Sequence, residues 1–254
     1  MRVPHPDIRE YSYRDYGNRV GIWRMLDVLD QFSQPCTVSL NTAVLELFPE
    51  VAEAIRDRIH GHGWSVMSHG IHNTDYLYGH SEQQEVCFYE TCRDHVKRHL
   101  GVDLKGMLGP AVSATPKTPD LMARSGFTYH CDWAHDDEPT PIMVDDGRLV
   151  SVPYTFQLGD GPVVLGARGG DYFEEICRRQ FDALYEEGAL AGRVMCIALH
   201  PFRIGQPHMI GHLESVLDYM HGFSDVWFTT ADEIAAYYLD NYYDQAMSGA
   251  DGSK

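Results

Sequence analysis

Residues 64–73 read WSVMSHGIHN. An apolar run, Trp64 to Met67, ends abruptly in a polar loop that carries His69, His72 and Asn73. The run is strand-like in length, and a segment of helical pattern lies on either side of it. Upstream, EVAEAIRDRIHG (50–61) follows Pro49, a residue suited to the first turn of a helix. Downstream, SEQQEVCFYETCRDHVKRHLG (81–101) opens with a capping box, Ser81 and Gln84, and closes on Gly101. Helix, short buried strand and helix in succession predict a mostly parallel sheet covered by helices.

The alternation continues outward in both directions. NRVGIWRMLDVLDQF (18–32) places Val20, Trp23, Leu26 and Leu29 on one helical stripe, and CTVSL (36–40) follows as a buried strand. Further strands are expected at LKGMLG (104–109), TYHCDW (128–133), LVSVPYT (149–155), GPVVLG (161–166) and RVMCIALHP (193–201). The 193–201 run is the most strongly strand-like. Helices are expected over 118–126, 172–187, 208–222 and 231–243, the last with a capping box of Thr230 and Glu233. These elements predict a single barrel-like α/β domain over 1–244, followed by an unstructured tail, QAMSGADGSK (245–254).

With 254 residues, 44% of them hydrophobic, the chain is long enough to bury a core without staples. No window approaches the roughly 18 apolar residues that a membrane span requires. The N-terminal MRVPHPDIRE has neither an apolar core nor a small-residue cleavage site, so a cytoplasmic location is expected. Six cysteines without a C-x-x-C pair read as reduced thiols rather than a disulfide framework. A formal charge of −17 argues against nucleic acid and anionic membrane surfaces as partners. A neutral or cationic small-molecule substrate fits better.

In parallel α/β folds the chemistry collects where the C-terminal ends of the strands meet their loops. Here those ends carry His69, Gly109–Pro110, Asp132–Trp133, Tyr154 and His200–Pro201. Two histidines, an aspartate and two aromatics are therefore expected on one rim. Each also has a plainer reading. A histidine at a strand end is often structural, Asp132 can cap its own loop, and Trp133 and Tyr154 can be packing residues. His208, His212 and His221 are expected to face solvent.

Three of these stretches, MSHGIHN (67–73), HCDWAHDDEP (130–139) and IALHPFRIGQP (197–207), resemble the polysaccharide deacetylase superfamily, the carbohydrate esterase 4 or NodB-homology fold. The likeness is greatest to its allantoinase-like, cyclic-amide hydrolase branch, and REYSYRDYGNRVGIWRMLDVLD (9–30) looks like the segment after that branch's first strand. The resemblance implies a distorted (β/α) barrel that hydrolyses C–N bonds other than peptide bonds. It makes His69 the first metal-type histidine and His200 the catalytic histidine.

Two departures accompany the resemblance. Asn73 stands four residues after His69, where a metal-binding member has a second histidine, and His72 is out of register with it. The family's acidic pair has no counterpart, so the first strand is expected to be missing from this chain, supplied by a partner, or lost to the choice of start.

The resulting expectation is a hydrolase of a small neutral amide, ureide or cyclic imide. His200 is the candidate general acid, and Asp132 orients an imidazole and fixes its tautomer. His69 and Asn73 hold the water or the carbonyl oxygen. Trp133, Tyr154 and Pro110 line the substrate. Asp15 and Asp75 are the only substitutes at hand for the missing general base. No cofactor is the first expectation; zinc or another divalent metal, with His69 as a ligand, is the alternative. A metal-dependent N-deacetylase and a non-catalytic binding relative are the competing functions. A homo-oligomer is expected.

Overall fold

The computed structural model describes residues 7–161 and 168–251. The helical N-terminal segment comprises α1 (Ile8–Tyr16), a π-helical turn (Gly17–Gly21) and α2 (Ile22–Gln31). Then follow β1 (Thr37–Leu40), α3 (Val44–Leu47), α4 (Pro49–Gly61), β2 (Ser65–Ser68), α5 (Glu82–Leu100) and β3 (Gly106–Met107). After them come α6 (Thr118–Arg124), β4 (Tyr129–His130), β5 (Thr140–Ile142) and β6 (Leu149–Ser151). The described chain ends with α7 (Gly170–Glu187), α8 (Pro201–Ile204), α9 (Ile210–His221), α10 (Ala231–Asn241) and α11 (Tyr243–Asp251). None of the described helices is long and apolar enough to cross a membrane.

The chain divides into two compact units. One is formed by residues 35–154 and 228–254, the other by residues 1–34 and 155–227.

The first unit holds a six-stranded sheet in the order β1-β2-β3-β4-β6-β5. Every neighbouring pair is parallel except β5–β6, which is antiparallel at the edge. This is the α/β class expected from the alternation of elements. Strand β2 is buried along its whole length, as a helix-covered parallel strand should be. Met67, Leu108, Tyr129, Cys131, Val150 and Val152 build the core together with Ala235 of α10 and Tyr243 of α11. The α5 caps are as predicted. Ser81 and Gln84 exchange both capping-box bonds, and Gly101 takes the left-handed conformation at φ +78°.

A buried carboxylate locks α5 to the loop before α6. Glu85 is 1% exposed and accepts from the Tyr89 hydroxyl and the Thr118 hydroxyl, both at 2.5 Å, and from Thr115 at 3.3 Å.

In the second unit, the 18–32 helix is interrupted by the π turn. Gly17 and Gly21 explain why. A Cβ on Gly21 would lie 2.0 Å from the Pro201 carbonyl oxygen, and one on Gly17 would lie 2.8 Å from the Phe202 nitrogen. The two glycines let the backbones of the π turn and α8 touch. Arg24 then donates to the Gly205 carbonyl oxygen at 3.0 Å.

Several expectations are corrected. RVMCIALHP (193–201) makes one parallel bridge, Ala198 with Gly159, and no strand ladder. GPVVLG lies outside the described residues apart from Gly161. The Thr230 cap is half a box: its side chain accepts from the Glu233 N–H, while the Glu233 carboxylate accepts from Thr229 instead. The tail expected to lack structure begins inside α11. His212 is not turned to solvent but bound through Nδ1 to Glu174 at 2.6 Å. All six cysteines are free thiols, of which Cys87 is exposed.

Candidate active site

The sheet explains how His69 and Asp132 come to be near neighbours. Strands β2, β3 and β4 are adjacent and parallel, with Ser68 beside Met107 and Met107 beside His130. The residues that follow each strand therefore emerge at the same edge. The His69 N–H donates to the Leu40 carbonyl oxygen at 2.8 Å, which extends the ladder by one residue and fixes the start of the loop. Gly70 turns the chain away at φ +77°, a conformation that suits glycine; any Cβ there would also strike the ring of Pro110 at 2.7 Å.

The His69 ring bonds through Nδ1 to the Leu108 carbonyl oxygen at 2.8 Å. A carbonyl can only accept, so Nδ1 carries the proton and the Nε2 lone pair faces away from that bond. Asp132 lies two residues beyond β4 and is 4% exposed. Its Oδ1 accepts from the Gly109 N–H at 2.6 Å. Burial pushes its carboxyl up to about 6, against the pull of the Gly109 and Ala114 N–H groups. Asp132 thus grips backbone through the Gly109 N–H.

Asn73 is exposed in a turn, four residues after His69. Trp133 is half-exposed, edge-on to the rings of His130 and His135. Tyr154 packs against the core cluster rather than standing clear of it. Pro110 is buried at the start of a short 3₁₀ turn in which Ala111 and Val112 both take φ +53°. That conformation is costly for non-glycine residues, and most of all for a β-branched one. Asp75 is paired with His80 at 3.2 Å and Asp15 with Arg19 at 3.9 Å. No three His, Cys, Asp or Glu side chains among the described residues are grouped as a metal-ion site. The described residues around His69 do not fit the three-ligand metal of the resemblance.

His200 belongs to the second unit, where its partner is a residue that the sequence reading missed. The bridge between Gly159 and Ala198 sets Asp160 opposite His200. Gly159 is needed for this approach: its φ is +148°, and a Cβ would lie 2.3 Å from the Ala198 carbonyl oxygen. Asp160 is fully buried. Its Oδ1 accepts from His200 Nδ1 at 2.6 Å, and its Oδ2 accepts from the backbone N–H groups of His200 at 2.6 Å and Ile204 at 3.2 Å. Three donors satisfy a carboxylate that would otherwise be costly to bury. The ring proton is held on Nδ1, and Nε2 is the nitrogen left to exchange a proton elsewhere. The His200 side chain is 42% exposed, so a substrate can reach it. Near the pair, the Arg203 guanidinium lies over the Phe202 ring at 5.3 Å.

No family model matches the chain. A protein of Schizosaccharomyces pombe named as a polysaccharide deacetylase is 28% identical over 265 residues, covering 92% of this chain and 78% of its own. A crystal structure of a Pseudomonas aeruginosa protein, also named as a polysaccharide deacetylase, superposes with a TM-score of 0.84 at 28% identity, over 94% of this chain and 79% of that one. The structure of Puue allantoinase superposes with a TM-score of 0.81 at 27% identity, over 93% and 78%. The polysaccharide deacetylase resemblance read from the three short motifs is thus shared by curated relatives and solved structures, with an allantoinase among them.

Proposed function

We propose that this protein hydrolyses a non-peptide carbon–nitrogen bond of a small neutral amide, ureide or cyclic imide, with the Asp160–His200 pair as its proton-transfer unit. The observation that carries the reading is the double grip of Asp160 on His200, at the ring and at the backbone. It fixes the tautomer and orientation that a general acid or base needs. Water adds to the carbonyl carbon as His200 Nε2 takes its proton, and the tetrahedral intermediate collapses as its C–N bond breaks. The same nitrogen then returns that proton to the leaving nitrogen. The buried carboxylate faces the positive charge that the ring carries before it gives up that proton. The likeness to an allantoinase supports a ureide or cyclic substrate.

The two relatives named as polysaccharide deacetylases favour a second reading, removal of an acetyl group from an N-acetylated sugar. One panel separates the two. The purified protein is incubated with small cyclic imides, ureides and N-acetylhexosamine oligomers, and ring opening and acetate release are followed. Ring opening by the wild type, lost in His200→Ala, is the expected result. Acetate release alone establishes the second reading. No turnover of either class, with ligand still bound, identifies a binding protein.

A further inference from the structure

The peptide unit between Leu108 and Gly109 is held at both ends. Its carbonyl oxygen accepts from His69 Nδ1 at 2.8 Å, and its N–H donates to Asp132 Oδ1 at 2.6 Å. His69, the peptide and Asp132 follow three neighbouring parallel strands, so the arrangement is set by the sheet. Gly109 makes the carboxylate's approach feasible, since a Cβ there would lie 2.7 Å from Asp132 Oδ2.

We propose that Asp132 is a positioning residue for His69 and acts through this shared peptide. By anchoring the Gly109 N–H, it aims the Leu108 carbonyl at the ring and keeps the imidazole in its Nδ1–H tautomer. The Gly109 N–H at 2.6 Å is the stronger of the two backbone donors that pull on the carboxylate, ahead of Ala114. A charge-assisted bond at the N–H also polarises the peptide, which strengthens its carbonyl as an acceptor. Asp132 therefore does what a residue in direct contact with the ring would do, one peptide removed. This inference rests on the sequence expectation that His69 is a site residue. Its test reads the ring itself, so it can fail while the proposed function stands.

The experiment is nitrogen-15 NMR of the full chain labelled at histidine, leucine and glycine, at one pH near 8 where an ordinary imidazole is neutral. In the wild type, His69 is expected as a single Nδ1–H tautomer. Asp132→Asn retains an oxygen that accepts from Gly109 and is expected to keep that tautomer. Asp132→Ala is expected to give a mixture containing the Nε2–H form, with the Gly109 amide proton moved upfield. A pure Nδ1–H ring in a folded Asp132→Ala protein, or an Nε2–H ring in the wild type, overturns the proposal. Should the alanine variant not fold, couplings across the two hydrogen bonds in wild-type protein decide it. Coupling across both bonds supports the relay, and absence of either overturns it.

Discussion

Asp160 holds His200 at two points, with Oδ1 on ring Nδ1 and Oδ2 on the backbone N–H, each at 2.6 Å. One buried carboxylate thereby fixes both where the residue sits and which ring nitrogen carries the proton. Position and tautomer are set by the same contact, so damage to that contact affects chemistry and local structure together.

The close approach that creates the pair depends on Gly159. Gly159→Ala places a methyl against the Ala198 carbonyl oxygen and forces alanine towards φ +148°. The expected cost is about 1–3 kcal/mol of stability, read as a lower midpoint in chemical denaturation. Activity should fall further than the stability loss explains, because Asp160 follows directly. A variant with wild-type midpoint and wild-type turnover contradicts this.

A second buried carboxylate makes a purely structural prediction. Glu85→Ala strands the hydroxyls of Tyr89 and Thr118, which both donate to it. Each buried group left unsatisfied costs about 1–3 kcal/mol. The denaturation midpoint should drop sharply. Glu85→Gln, which keeps an acceptor oxygen, should recover part of the loss. Equal midpoints for the two variants contradict the hydroxyl network as its source.

Stability against pH has two opposed contributions from neighbouring residues. Burial pushes the Asp132 carboxyl up to about 6 and the His130 imidazole down to about 4. Asp132 adds nothing unfavourable while protonated in both folded and unfolded chains; stability is lost as pH rises through 6 and the buried group ionises. His130 contributes stability above the ordinary histidine value, and that is lost as pH falls towards 4. Shifts of this size correspond to about 3 kcal/mol each, so the two contributions largely offset one another between pH 4 and 6. Relative to the wild type, the unfolding free energy of Asp132→Asn should rise more steeply with pH across that range. That of His130→Leu should rise less steeply or fall. Profiles with the wild-type slope in both variants contradict these assignments.

The π turn provides a test of backbone packing. Gly21→Ala drives a methyl into the Pro201 carbonyl oxygen, at a cost of about 1–3 kcal/mol or more. Gly61→Ala, where nothing lies within 4 Å, serves as the control and should leave the midpoint nearly unchanged.

The parts legible in the sequence are those governed by local rules. The capping box at Ser81, the left-handed Gly101 and the short buried strand ending at His69 each follow from residues within a few positions of one another. The misreadings arise where distant backbone decides. RVMCIALHP has the composition of a strand, yet only Ala198 finds a ladder partner among the described residues. Asp160 lies 40 positions before His200, and nothing local marks it. The one available hint is the pair of glycines around it, Gly159 and Gly161, which signal a close backbone approach. Gly17 and Gly21, four apart within a helical pattern, carried the same kind of hint for the π turn.

A double-mutant cycle on Asp160 and His200 tests the central claim most directly. Turnover of the best small imide or ureide is measured for the wild type, Asp160→Ala, His200→Ala and the double variant, each checked for folding. Loss of a general acid costs roughly two to four orders of magnitude in rate. If the two residues act as one unit, the double variant should be little slower than His200→Ala alone. Additive losses, or a His200→Ala protein that turns over at the wild-type rate, would contradict the account.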